Sequence, residues 1–289
     1  MAVAERVHLE TRTKIAELSS YGVRPGLAVI LVGNQPAAYV YVRKKAEQCA
    51  KLGLYLLKLE LPATITQQEL LTHIAVLNAD PKIHGILVQS PSPPHINAVE
   101  VAHAIDPRKD VDGFHPSNVA KLALEDPSGL VPCTPLGCRR LLLEYQVPIS
   151  GSHVVIIGRS RIVGKPLALL LMSRGIAGNA TVTVIHSQTR NLEKITRQAD
   201  ILICTMGQPN FITTQHICEG VVVIDVGINR IECSAKRSGY YLVGDVDFKK
   251  VAPKCSLITP VPGGVGPMTV AMLLSNTVKA CLQIHNFLL

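Results

Sequence analysis

Tryptophan is absent, and Phe and Tyr together supply only 4% of the 289 residues. Stacking platforms for single-stranded nucleic acid are therefore scarce. Basic residues outnumber acidic ones, 29 to 21, for a net charge of +8 and an isoelectric point near 9.1. They never form a run of five, however, so no nucleic-acid partner is expected. A scattered basic excess suits anionic small molecules instead. No apolar run reaches about 18 residues without a charge or turn residue, so no membrane span is expected. The N-terminal stretch MAVAERVHLETRTKIAEL lacks an apolar segment of signal-peptide type and reads as a helix. None of the eight cysteines forms a CxxC pair. Disulfide frameworks and zinc sites want tighter spacing, so the expectation is buried free thiols in a reducing cytosol, with no metal.

The hydrophobic fraction is 47% and the charged fraction 17%, enough for a sizeable core and incompatible with wholesale disorder. Length allows one large domain or two ordinary ones. Strand-like and helix-like segments alternate, the signature of an α/β fold. Helix is expected over 3–21, 37–52, 66–78, 137–146, 166–174 and 268–284. Strand is expected over 27–32, 54–61, 85–88, 153–157, 181–185, 201–204, 221–225, 241–243 and 256–259. From 106 to 137 the chain is rich in Pro, Gly and Asp and reads as a long functional loop.

After strand 153–157 comes Gly158-Arg-Ser-Arg-Ile-Val-Gly164-Lys-Pro166. A glycine turn between strand and helix lets the backbone approach a phosphate at the helix N-terminus. The spacing misses both GxGxxG and the P-loop, so spacing alone leaves a plain structural turn open. Strand 181–185 follows at the distance of a βαβ unit, which favours a nucleotide site. NAD-specific folds end that second strand with a carboxylate for the ribose hydroxyls. Here the chain reads Ile185-His-Ser187-Gln-Thr-Arg190, with no carboxylate. Hydroxyls and cations there, with Arg159 and Ser160 across the turn, favour NADP over NAD.

Tyr41 and Lys45 lie four apart on helix 37–52 and project from one face. A Tyr-x-x-x-Lys pair also marks short-chain dehydrogenases, but there it follows the nucleotide motif, whereas here it precedes it by more than 100 residues. Further segments are read with it: Gly33-Asn-Gln-Pro36, Gly85-Ile-Leu-Val-Gln89-Ser-Pro91, Lys109-Asp-Val-Asp112-Gly-Phe-His-Pro116, Pro132-Cys-Thr-Pro135, Asp225-Val-Gly-Ile228-Asn, Gly244-Asp-Val246 and Thr259-Pro-Val-Pro262-Gly263-Gly264-Val-Gly-Pro267-Met-Thr269. In this order they resemble the bifunctional methylenetetrahydrofolate dehydrogenase/methenyltetrahydrofolate cyclohydrolase family (FolD), over nearly the whole chain.

The resemblance implies an α/β catalytic domain over 1–136 completed by a C-terminal helix at 266–289, and a Rossmann-type, doubly wound NADP-binding domain over 137–265. It implies that 5,10-methylenetetrahydrofolate is oxidised to 5,10-methenyltetrahydrofolate and then hydrolysed to 10-formyltetrahydrofolate, within one-carbon metabolism. Tyr41, Lys45, Gln89 and Asp112 match the catalytic residues. Tyr41 and Asp112, with Pro262, Gly263 and Gly264, match folate contacts. Gly158, Arg159, Ser160, Ser187 and Ile228 match dinucleotide contacts. A cytoplasmic homodimer is implied too. The chain departs from the family's usual pattern at Arg161, at Ala120, and in a short N-terminus.

The residues suit that chemistry. Expelling a hydride from a carbon between two nitrogens needs positioning more than acid or base help. Hydrolysis of the resulting cation needs a proton handler, and a lysine with a lowered pKa serves. Gln89 can orient that lysine without a charge to pin its proton, and Asp112 can pair with the amino and ring N–H of a pterin. Two rivals are a monofunctional, NAD-linked dehydrogenase and a non-catalytic nucleotide- or RNA-binding protein.

Overall fold

The computed structural model describes residues 2–33, 36–234 and 239–287. In chain order its main elements are α1 (Ala2–Ser20), β1 (Gly26–Val32), α2 (Pro36–Leu52), β2 (Tyr55–Leu61), α3 (Gln67–Ala79), β3 (Gly85–Val88), α4 (Ala98–Ala104), α5 (Pro116–Ala123), α6 (Cys133–Glu144), β4 (His153–Ile157), α7 (Gly164–Met172), β5 (Thr181–Ile185), α8 (Leu192–Thr196), β6 (Ile201–Cys204), β7 (Val222–Asp225), β8 (Asn229–Glu232), β9 (Tyr240–Val243), α9 (Phe248–Val251), β10 (Leu257–Ile258) and α10 (Val265–Ile284). They form two compact units, one of residues 2–133 and 270–289, the other of 134–269.

In the first unit a parallel three-stranded sheet runs in the order β2-β1-β3. β1 is Gly-Leu-Ala-Val-Ile-Leu-Val and every residue is buried. An unbroken apolar run is what a central parallel strand requires, because both of its faces are covered. Ile30, Leu70, Ile74, Ile83 and Ile86 form the centre of the core. α3 starts where Thr66 and Glu69 build a reciprocal capping box, satisfying donors that the first turn leaves open. From Val270 onward α10 belongs to this unit, so the C-terminal helix returns to the first half of the chain.

The second unit holds five parallel strands in the order β10-β7-β6-β4-β5. β4 occupies an interior position; the chain moves to β5 on one side, then returns to β6 on the other. That reversal opens a crevice at the carboxyl ends of β4 and β6, the usual ligand site of doubly wound sheets.

Three differences from the sequence reading have simple causes. The stretch 106–137 is not one loop: it contains α5 and the start of α6. Pro116 and Pro135 read as breakers, yet both sit in first turns, where no backbone N–H is needed. The elements α8, α9 and β8 are four or five residues long, too short to show a period. α10 is long and apolar enough, by length and composition, to cross a membrane. Its Met268, Ala271, Leu273, Leu274, Val278 and Cys281 are buried in the protein, and its polar side chains hold neighbouring loops, so it is a core helix.

Candidate active site

The Lys45 side chain leaves α2 and is buried. Its Nζ donates to Gln89 Oε1 at 2.8 Å. Gln89 follows the last residue of β3, and its backbone N–H still bonds Ile30 O of β1 at 2.8 Å. Its side-chain Nε2 donates to Ser90 O at 2.8 Å, so the oxygen is the end turned to the lysine. Burial lowers the pKa of Lys45, against the pull of the nearby Asp112 carboxylate. Tyr41 lies one turn earlier on α2; its side chain is outside the described residues.

Asp112 comes from a turn whose other polar residues face inward. Lys109 Nζ donates to Leu77 O, Asn78 O and Asp80 O at 3.2, 2.8 and 2.8 Å, closing the C-terminus of α3. The Asp110 carboxylate accepts from the N–H of His115 at 2.8 Å and from Asn118 Nδ2 at 2.9 Å. Gly113 has φ +71°, and a Cβ there would lie 2.6 Å from Leu130 O and 2.7 Å from Pro132 N. The turn is therefore pressed against the segment leading to Cys133. α10 locks both: Asn276 Nδ2 donates to Val111 O at 2.8 Å and to Val131 O at 2.9 Å.

The Asp112 carboxylate differs from these. Among the described residues its hydrogen-bonding contact is Cys133 Sγ, 3.8 Å from Oδ1. Burial pushes its pKa up to about 6, the positive charge of Lys45 pulls it back, and Asp110 adds to the rise. One unit thus brings together an amine whose charge burial disfavours, a neutral amide on that amine, and a carboxylate that, among the described residues, is short of donors.

In the second unit the turn after β4 forms the cradle. Gly158 has φ +127°, and a Cβ there would collide with Thr205 Oγ1 and Thr205 O of the loop after β6. A Cβ on Gly164 would strike Gly158 O. Bare backbone is required at both, at the N-terminus of α7. Ser160 Oγ accepts from the N–H of Val163 and Gly164 at 3.1 and 3.3 Å, while Arg159, Arg161, Ser187 and Arg190 are exposed around the crevice mouth. No carboxylate stands in the stretch from His186 to Arg190 that follows β5. A cradle without side chains, a helix N-terminus and an all-cationic or hydroxyl rim fit a phosphorylated dinucleotide. Ile228, 46% exposed, lies after β7. Pro262, Gly263 and Gly264 form the turn that enters α10.

Residues 1–112 match the family model described as tetrahydrofolate dehydrogenase/cyclohydrolase, catalytic domain. Residues 132–285 match the NAD(P)-binding domain of the same family. The chain belongs to the tetrahydrofolate dehydrogenase/cyclohydrolase family. It is 51% identical over 284 residues to the bifunctional protein FolD of Protochlamydia amoebophila, covering 98% of this chain and 97% of that protein. The crystal structure of the bifunctional FolD of Campylobacter jejuni aligns with a TM-score of 0.92 at 48% identity, over 98% of this chain and 97% of that one. The FolD of Trypanosoma brucei, solved with NADP cofactor and an inhibitor, aligns with a TM-score of 0.92 at 40% identity, over 98% of this chain and 96% of that one.

Set against this family, the structure adds residues that the sequence reading passed over: Lys109, Asp110, Cys133 and Asn276 around Asp112. Asn276 had a signal, an amide amid the apolar run of α10. A group with metal-ligating atoms also exists, His84, Cys281 and His285, drawn from positions about 200 residues apart. His84 Nδ1 accepts the Gly26 N–H at 3.0 Å, which leaves the ring proton on Nε2. That proton faces His285 Nε2 at 3.2 Å. Metal ligation through Nε2 would need the ring stripped of both protons, whereas ligating histidines donate from their second nitrogen. The trio is a hydrogen-bonded pair beside a buried thiol.

Proposed function

We propose that this protein carries out NADP-dependent oxidation of 5,10-methylenetetrahydrofolate to 5,10-methenyltetrahydrofolate, followed by hydrolysis to 10-formyltetrahydrofolate. The carrying observation is the 2.8 Å bond from the Lys45 amine to the Gln89 amide oxygen, with the Asp112 carboxylate close enough to raise the lysine's pKa. NADP, when bound, supplies the hydride acceptor. The groups that would hold it are the bare backbone of Gly158, the hydroxyls of Ser160 and Ser187, Arg159, and the apolar side chain of Ile228.

Asp112 binds the pterin. Its oxygens are short of donors, and the amino and ring N–H of a pterin supply a matched pair. Tyr41 stacks on the aminobenzoyl ring, and Pro262, Gly263 and Gly264 line the folate. Lys45 handles the proton in the second reaction. Water attacks the methenyl carbon; the neutral amine takes a proton from that water and returns one to the ring nitrogen as its bond to the carbon breaks, and the remaining hydroxyl proton leaves to solvent as the formyl carbonyl forms. The substrate is itself a cation, and its charge beside the amine pushes Lys45 further toward the neutral base. Gln89 holds the amine's direction with no charge of its own.

The protein acts as a cytoplasmic homodimer. Eight unpaired cysteines suit a reducing compartment, and the dimer follows the family resemblance; sedimentation of the pure protein tests it. The reaction is tested with two assays on one preparation: reduction of NADP or NAD with methylenetetrahydrofolate, and decay of methenyltetrahydrofolate absorbance without nucleotide. Lys45→Met is expected to abolish the second while leaving the first measurable. Equal loss of both would leave Lys45 as a folate-binding or structural residue, and no acceleration by the parent over buffer would remove the cyclohydrolase.

A further inference from the structure

Behind the nucleotide crevice lie two buried aspartates outside the assigned machinery. Asp245, 0% exposed, follows β9. Its Oδ2 accepts from the N–H of Met206 and Gly207 at 2.8 and 3.0 Å, and its Oδ1 from the N–H of Gln208 at 2.9 Å. Asn229 Nδ2 adds a fourth bond, to Oδ1, at 3.0 Å. Asp225, at the end of β7, accepts through Oδ1 from the N–H of Gly227 and Asp245 at 3.0 and 2.9 Å, and through Oδ2 from Val246 at 3.0 Å. The fit leaves no room: a Cβ on Gly227 would strike the Asp245 carboxylate, and one on Gly244 would strike that of Asp225.

These bonds reach the crevice from behind. The loop 205–208 follows β6 and touches the phosphate cradle directly, since Thr205 is what fills the space beside Gly158. Three successive N–H groups of that loop turn inward to one carboxylate. Ile228 lies between two tethered neighbours, Gly227 on Asp225 and Asn229 on Asp245, and presents its exposed side chain from that held loop. The β6–β7 ladder ends at Cys204 and Asp225, with one more backbone bond from Val226 N–H to Cys204 O at 2.9 Å; past that point, among the described residues, the two loops meet on Asp245. Each carboxylate oxygen of Asp245 serves two donors, so beyond the end of the ladder one side chain ties the two loops to each other.

We propose that Asp245 is a positioning residue for the dinucleotide: by fastening the loops after β6 and β7 together, it fixes the surface against which NADP is seated. The proposal rests on the NADP-linked function above. An amide cannot replace the carboxylate, because whichever way it turns, its NH2 faces donors that the missing oxygen served.

The test uses the full-length protein and reads NADP binding by calorimetry, beside methenyltetrahydrofolate hydrolysis without nucleotide. For Asp245→Asn the NADP Kd is expected to rise about tenfold or more, the scale of one or two lost charge-assisted hydrogen bonds. Nucleotide-free hydrolysis should stay within about twofold, since it needs no seated NADP. Unchanged NADP affinity overturns the proposal. So does parallel loss of both readouts, which would make Asp245 a general support of the fold. If Asp245→Asn does not fold, Asn229→Ala removes one donor and leaves the carboxylate; it should weaken NADP about two- to fivefold with an unchanged melting temperature, and wild-type affinity there would equally refute the idea. A parent protein that itself neither binds NADP nor reduces it refutes the dehydrogenase reading, an outcome distinct from a parent that binds and a variant that binds equally well.

Discussion

Replacing Asp112 with asparagine should stabilise the ligand-free protein while damaging its function, and the gain should depend on pH. The carboxyl titrates at about 6 in the folded chain against an ordinary value of 3.8. The native state therefore keeps its proton to higher pH than the unfolded chain does. Stability contributed by the protonated form is whole below about pH 4 and is lost as pH rises through 6. A gap of about two units at about 1.4 kcal/mol each amounts to roughly 3 kcal/mol. Asparagine cannot ionise, so Asp112→Asn escapes that loss. The pull of the Lys45 cation is already contained in that value, so the expectation is about 1–3 kcal/mol. The assay is urea unfolding of parent and variant, without folate, at pH 4.5 and 7.5. The variant's advantage should grow between the two, while the KM values for methylenetetrahydrofolate in the oxidation and for methenyltetrahydrofolate in the hydrolysis both rise. Parallel stability curves, or an advantage already complete at pH 4.5, would refute the assignment of a desolvated, donor-poor carboxylate.

Gly158→Ala should weaken NADP binding and cost about 2–3 kcal/mol of stability, because it combines a left-handed backbone with a Cβ driven into Thr205; an unshifted melting curve with parental NADP KM would count against the cradle. Asn276→Ala removes the amide donor from Val131 O and from Val111 O, leaving Val111 O only the weak Cys133 thiol at 3.2 Å among the described residues, and the loss of about 1–3 kcal/mol should come with a raised folate KM, since the Asp112 turn loosens. Asn276→Asp, which sets an acceptor against two carbonyls, should be worse than alanine on both measures; a milder effect would remove the clamp.

What the sequence made legible depended on distance along the chain. The pair Tyr41 and Lys45 is local, four residues on one helix, and the glycine turn at 158–164 sits between a strand and a helix that announce themselves by period. Central strands such as β1 and β4 are unbroken apolar runs and could be read directly. Gln89 is 44 residues from Lys45, and only the family resemblance connected them. Within Lys109-Asp-Val-Asp112-Gly the pattern carries three charges but not their directions. Which of them faces the site is decided by Asn118, eight residues on but in the next helix, and by α3 carbonyls and α10, which are far away in sequence. Prolines misled in the opposite sense, because a proline that ends one helix and a proline in the first turn of another look alike until the caps are known.

The same physics separates working carboxylates from structural ones in this chain. Asp110, Asp225 and Asp245 are all nearly inaccessible, and each has backbone or amide donors to its oxygens. Donors from the fold offset part of their desolvation, though burial still raises the carboxyls of Asp110 and Asp225, and a ligand would compete with bonds already made. Asp225 shows that a raised pKa does not by itself mark a site: burial lifts it to about 6, as it does Asp112, yet three N–H groups already occupy its oxygens. What distinguishes Asp112 is that its contact is a thiol at 3.8 Å, a weak donor that leaves most of the desolvation uncompensated. A bound pterin would supply that compensation, so the energy lost by the empty turn reappears as affinity for the ligand. On this argument Asp112→Asn and Asp225→Asn should differ in sign: the first stabilises the protein at neutral pH, and the second, by setting an NH2 against backbone donors, destabilises it.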